Sequence, residues 1–221
     1  MAEMKETKKY VFTVEGETEK WYLDWLCKKI NEQEKLKYNV SIKAVVEQHP
    51  LSYAKGVNVK AVPMITHICD VESKEKVHVD KFQGILLEMK NAKTQKKIKY
   101  CLGYSNFTFE LWIILHKQSC NGSFADRTKY LPIINHIFGE KFENLDQYKK
   151  EDNFKRCLSK ITFDNVVEAI KKADVIMREN EINGKKKLEY KGYSYYEDNP
   201  SLNISECIKS ILIDNGLIKS K

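Results

Sequence analysis

Two short acidic stretches carry the residues best suited to chemistry. The first is Val14-Glu15-Gly16-Glu17-Thr18-Glu19, where Glu15 closes a β-branched and aromatic run, Gly16 allows a tight turn and Glu19 falls one helical turn further on. The second is Cys69-Asp70-Val71-Glu72, at the end of another apolar run. In a parallel sheet, both lie at the carboxyl ends of strands, where α/β proteins bind ligands. Convergent carboxylates repel one another unless a cation neutralises them. A set of oxygen ligands, Glu15, Glu19, Asp70 and Glu72, suits Mg²⁺ or Mn²⁺ better than zinc, and such ions polarise phosphodiesters and activate water. The plainer reading treats Glu17 and Glu19 as first-turn acids favoured by the helix dipole, and Asp70 and Glu72 as caps of the helix that follows.

Strands and helices must position these acids. Residues 9–15 read as a buried strand, and a helix starts near Glu17 or Thr18 with Trp21, Tyr22, Trp25, Leu26 and Ile30 on one face. Residues 38–46 form a second strand, 47–62 a loop with one short helix, and 62–69 a third strand. A charged loop at 71–78 leads into a helix over 79–93, then a fourth strand at 98–104. Phe107 to His116 is too bulky and apolar for a loop and reads as a buried helix. Helical patterns then cover 126–138, 147–159, 163–181 and 202–215, and the polar stretch Asn180–Asn199 reads as a mobile loop. Alternating strands and helices predict a parallel α/β sheet over residues 1–118, with a helical extension over 119–221 packed on it.

Composition narrows the classes. The 221 residues are 42% hydrophobic, which excludes wholesale disorder, and no apolar run reaches the roughly 18 residues of a membrane span. The charged start, Met1 to Lys9, has no secretory apolar core, so a cytoplasmic location without a membrane partner is expected. Six scattered cysteines make no metal-spaced pair. The net charge of +7 comes from 38 Lys+Arg, of which only Arg127, Arg156 and Arg178 are arginines. A lysine surface of this kind is either plain solvated charge or a phosphate-attracting face, for which Lys20, Lys74, Lys76 and Lys185–Lys187 are the candidates. There is no GxGxxG after the first strand, no Walker motif, no GxSxG and no HExxH.

With these residues in view, the chain resembles a known family. Val-Glu-Gly-Glu-Thr-Glu at 14–19 is similar to the opening motif of Toprim domains of the OLD-nuclease type, and Asp70-x-Glu72 resembles their later Asp-x-Asp motif. The block Ser105-Asn106-Phe107-Thr108-Phe109-Glu110-Leu111-Trp112-Ile113-Ile114-Leu115-His116 is similar to the Ser-Asn-Pro-x-Phe-Glu-x-Trp-x-Leu-Leu-His signature of RloB-like proteins, the group that includes AbiLii. Asn199-Pro200-Ser201 before a terminal helix resembles that group's C-terminal element.

The resemblance implies a Toprim-like sheet and Mg²⁺-dependent phosphodiester hydrolysis of DNA or RNA, with tRNA among the candidate substrates. It further implies abortive-infection defence against phage and a partner ATPase of the ABC/SMC-like AAA type. On motif matching, Glu15 and Glu19 would be catalytic, and both would bind metal with Asp70 and Glu72. Accessory roles fall to Ser105, Asn106, Glu110 and His116, although Phe109, Leu111, Trp112, Ile114 and Leu115 are most simply core. The chain departs from the pattern in three places: Glu72 replaces an aspartate, Phe107 stands where proline is usual, and the stretch between the second and third strands is short. The Asp-x-Glu departure keeps a second expectation open, a non-catalytic regulatory or nucleic-acid-binding subunit of an ATPase complex. In that reading, Tyr190, Tyr193, Tyr195 and Tyr196 form an exposed docking or stacking patch.

Overall fold

The structure, a computed structural model, describes residues 5–58, 60, 64–122, 124 and 126–219. The first half alternates β1 (Thr7–Val14), α1 (Glu17–Asn31), β2 (Asn39–Val46), α2 (Pro50–Gly56), β3 (Met64–Val71), α3 (Lys76–Lys96), β4 (Lys99–Asn106) and α4 (Glu110–Leu115). The second half opens with a 3-10 turn (Arg127–Lys129) and continues through α5 (Tyr130–Phe138), α6 (Leu145–Tyr148), α7 (Glu151–Ser159) and α8 (Phe163–Ile182). A hairpin, β5 (Lys187–Tyr190) and β6 (Tyr193–Tyr196), precedes the terminal helix α9 (Ile204–Asp214). Val62, expected to open the third strand, lies outside the described residues.

The four long strands form one parallel sheet in the order β2-β1-β3-β4. The chain winds from β1 outward to β2, then crosses back over β1 to β3. The switch of winding direction therefore falls between β1 and β3, and their carboxyl ends open a crevice there. This is the α/β fold expected from the alternating pattern, and it is consistent with a Toprim-like sheet.

Both faces of the sheet are covered, as a parallel sheet requires. Phe12 and Val14 of β1 and Ile68 of β3 point to the face covered by α1 and by the later helices. Ile65, Cys69 and Val71 of β3, with Tyr100, Leu102 and Tyr104 of β4, point to the face covered by α3. The first core runs without a break from Tyr22 of α1 to Leu212 of α9, so residues beyond 118 share it with the sheet. Helix α9 lies close on β4 at Gly103, where an added Cβ would come within 3.3 Å of Ile68 and 3.5 Å of the Cys207 sulfur.

Three expected elements need correction. The stretch 180–199 is not a mobile loop: it finishes α8 and then forms the antiparallel β5–β6 hairpin. Its turn places Lys191 and Gly192 at φ 54° and 87°, the paired left-handed conformations of a tight hairpin. The lysine run 185–187 hides the period-two pattern. Nor is its aromatic patch exposed, since Tyr195 and Tyr196 are buried and the Tyr195 ring meets Phe82 edge-on at 4.9 Å. The expected helix 147–159 is two helices, α6 and α7, broken at Lys149 and Lys150. The buried helix expected over 107–116 spans only Glu110–Leu115, and Phe107 ahead of it adopts φ 65°.

Candidate functional site

The acids at the switch point face a single cleft of about 290 Å³, lined by Glu15, Glu19, Asp70, Glu72, Arg127 and Lys149, with the turn 16–18. Glu15 follows the last residue of β1. Its Oε2 accepts the Asp70 backbone N–H at 3.0 Å, so the end of β3 aims the end of β1. Its Oε1 is buried without a hydrogen-bond partner, 3.7 Å from the Lys81 ammonium. Burial raises the Glu15 pKa, partly offset by the Asp70 N–H and by Lys81.

Glu19 sits in the first turn of α1, yet only 7% of it is exposed. Burial, helped by the neighbouring Glu110 carboxylate, pushes its pKa up to about 7. Thr18 Oγ1 donates to its Oε2 at 3.1 Å. Gly16 is needed here for space rather than for its backbone freedom. It is extended at φ −146°, but a Cβ at this position would come within 3.1 Å of Glu19 Oε2.

Asp70 has its pKa raised well above its ordinary value, by burial first and then by Glu15, Glu19 and Glu110. Glu72 behaves oppositely. Burial would raise its pKa, but the Lys81 ammonium at 2.6 Å and His78 outweigh this and lower it.

Glu110 joins this group from beneath. It opens α4 fully buried, accepts a hydrogen bond from Thr108, and pairs through Oε1 with Lys149 at 3.2 Å. Burial opposes the Lys149 charge, but Glu110 and Asp70 more than restore it and raise its pKa. Lys149 thus brings a cation from the break between α6 and α7 into the acidic cleft. Arg127 brings a second from the 3-10 turn.

The other expected residues go elsewhere. His116 is a core residue: Nδ1 faces the Trp112 carbonyl at 2.9 Å, Nε2 faces the Tyr22 hydroxyl at 3.1 Å, and burial lowers its pKa to about 3. The carbonyl fixes Nδ1 as the protonated nitrogen, so Nε2 accepts from Tyr22. Ser105 is buried in the sheet and pairs with Leu202. Asn106 turns away from the acids and donates to the carbonyls of Tyr196 and Glu197, both at 3.0 Å. None of the three lines the acidic cleft. The expected lysines do not line it either. Lys20 pairs with Glu17 at 3.4 Å, Lys74 with Asp198, and Lys76 opens α3 on the surface.

The cations that do reach the acids, Lys81, Arg127 and Lys149, escape a reading of motifs. Lys81 lies on the helix after Asp70-x-Glu72, and the other two sit far along the chain at helix ends.

Among the described residues, no three Asp, Glu, His or Cys side chains are placed to share one metal ion. The donor chemistry nevertheless suits a hard divalent cation. Glu15 and Glu19 both repel the Asp70 carboxylate, and Glu15 Oε1 has no hydrogen-bond partner.

Together these features define a doubly wound α/β protein with a cleft of mixed charge at its switch point. The family model of RloB-like proteins matches residues 10–211, and the chain belongs to that family. No curated protein and no solved structure matches it. Among the described residues, no helix is long and apolar enough to cross a membrane.

Proposed function

We propose that this RloB-like chain is a metal-dependent nuclease that hydrolyses phosphodiesters of DNA or RNA, tRNA included, in abortive-infection defence against phage. It would act beside an ATPase of the ABC/SMC-like AAA type. The observation that carries this reading is the gathering of Glu15, Glu19, Asp70 and Glu72 around one cleft at the switch point, with Arg127 and Lys149 on its wall. Glu15, Glu19 and Asp70 would hold Mg²⁺ or Mn²⁺, which supplies Lewis-acid polarisation of the phosphate and a lowered pKa for bound water. Glu15 is aimed by the Asp70 backbone rather than by another side chain, so its carboxylate keeps its place when substrate arrives. Arg127 and Lys149 offset the charge of an incoming phosphate, which the four acids alone would repel.

A second reading has its own observation. Lys149 already neutralises Glu110, and Lys81 already neutralises Glu72. Such internal pairing suits a regulatory subunit that binds nucleic acid without cutting it.

One experiment separates the two. Purified protein is incubated with labelled DNA and with total tRNA in Mg²⁺, Mn²⁺ or EDTA, beside a Glu15→Gln variant. The nuclease yields products only with a divalent ion, and the variant loses at least ~100-fold in rate, the scale of removing one main electrostatic contributor. Intact substrates under every metal condition, with and without the ATPase, would leave the binding subunit.

A further inference from the structure

A second cleft, also about 290 Å³, lies beside the acidic one, lined among others by Lys74, Asn106, Phe107, Phe124 and Asp198. The two are contiguous in the chain: Glu72 lines the first and Ser73 the second, Arg127 the first and Phe124 the second. We propose that this second cleft holds one unpaired nucleobase of a single-stranded nucleic acid whose backbone passes through the acidic cleft. The inference rests on the nucleic-acid reading above, whether or not the chain cuts.

Two aromatic rings line the cleft, and both are firmly backed. Phe107 is held at φ 65° by its N–H, which donates to the Val71 carbonyl at 2.8 Å. A bulky side chain in this left-handed region is uncommon, and such residues cluster at ligand clamps. Proline, usual at this position in the signature the chain resembles, is locked near φ −65° and cannot adopt this conformation. The aromatic wall is thus a feature of this chain's own backbone. Phe124 packs edge-on against Tyr130 at 5.0 Å, and its carbonyl accepts from the buried Asn199 at 3.3 Å. Rings fixed in this way offer stacking surface at little cost in ordering.

Charge decides which part of a nucleotide enters. Glu197 and Asp198 line this cleft, and Asp198 is tied to Lys74 at its edge. Two carboxylates disfavour a phosphate here, whereas they accept hydrogen bonds from the amino and imino groups of bases. The phosphate belongs with Arg127 and Lys149 next door, and the uncharged ring belongs between the phenylalanines. A paired base within a duplex could not reach a pocket of this size, so the occupant is a single strand.

The test is equilibrium binding at low salt, in Ca²⁺ and again in EDTA, so that cleavage is not the readout. Fluorescent single-stranded oligomers are compared with oligomers of equal length built wholly of abasic units, and with the matched duplex. The base-bearing strand should bind about tenfold more tightly than the abasic strand, within the range of one aromatic stacking contact. Phe107→Asn, which tolerates the left-handed backbone, and Phe124→Leu should each close most of that gap and leave abasic binding unchanged. Equal affinity for the two strands, preference for the duplex, or variants that weaken both strands alike would overturn the proposal. Full displacement by an equimolar nucleoside monophosphate would overturn its commitment to a strand. A chain that prefers bases but never cuts defeats the nuclease alone, and one that cuts without base preference defeats this inference alone.

Discussion

Glu19 shows how far a single side chain can be moved by where it is buried. Its folded carboxyl titrates near 7 against an ordinary value of 4.5, with burial as the main cause. Between those two values the folded chain holds a proton that the unfolded chain has released. Stability therefore falls as pH rises through this window, and the full penalty is present above about pH 7. Glu19→Gln carries no such proton, so chemical denaturation should find the variant more stable than the parent at pH 8 by on the order of 2 kcal/mol, with the difference vanishing near pH 4. A constant difference across that range would show that Glu19 does not titrate as its surroundings dictate. Residues of this kind were legible beforehand because strand ends, a glycine and a following helix are local signals. His116 and Asn106 were not, since a sequence does not tell a histidine that closes a core hydrogen bond from one that faces substrate.

At the scale of elements, Asn106 fastens the end of β4 to the segment after β6. Its side-chain amide donates to two carbonyls, at Tyr196 and Glu197, and to the Ser201 hydroxyl at 3.3 Å. Its backbone N–H donates to the Ser201 carbonyl at 2.8 Å. Asn106→Ala keeps the backbone bond but takes the amide donor from the Glu197 carbonyl and leaves the Tyr196 carbonyl only the Ser201 hydroxyl, and should cost about 2 kcal/mol. The loss should be local: in hydrogen exchange, amides of β5, β6 and residues 197–201 should lose protection before those of β1 and β3. Uniform loss across the sheet would contradict this picture. The four parallel strands could be read from their apolar runs, but the β5–β6 hairpin could not, because its strands are only four residues each and follow directly on a lysine run. The split of α6 from α7 was equally hidden, since the apolar spacing resumes in phase on either side of Lys149-Lys150.

For the molecule as a whole, the sheet and the later helices are one packing unit. Helix α9 buries Ile204, Ile208, Ile211 and Leu212 almost completely. At roughly 1.5–3 kcal/mol each, these four side chains account for about 6–12 kcal/mol, comparable to the whole stability of a typical domain. A chain ended at residue 202 should therefore lose its cooperative thermal transition, as followed by circular dichroism. Retention of a sharp transition would show that residues 1–202 fold alone. The acidic half of the candidate site was legible because its acids belong to two neighbouring strand ends. The cationic half was not, because Arg127 and Lys149 reach the cleft only through the tertiary docking of helices that follow the sheet.

The Lys149–Glu110 pair also has a consequence in time. Synthesis delivers Glu15, Glu19, Asp70, Glu72 and Glu110 first, and the matching cations of the later helices only afterwards. Lys81, made before Glu110, already answers Glu15 and Glu72, whereas Glu110 and Asp70 wait for Lys149. The charge balance of the cleft is therefore set only when residue 149 has emerged, and the core beside it closes with α9. The acids of the cleft thus precede the cation that balances the most buried of them, and the cleft takes its final charge only when the helices after the sheet have docked.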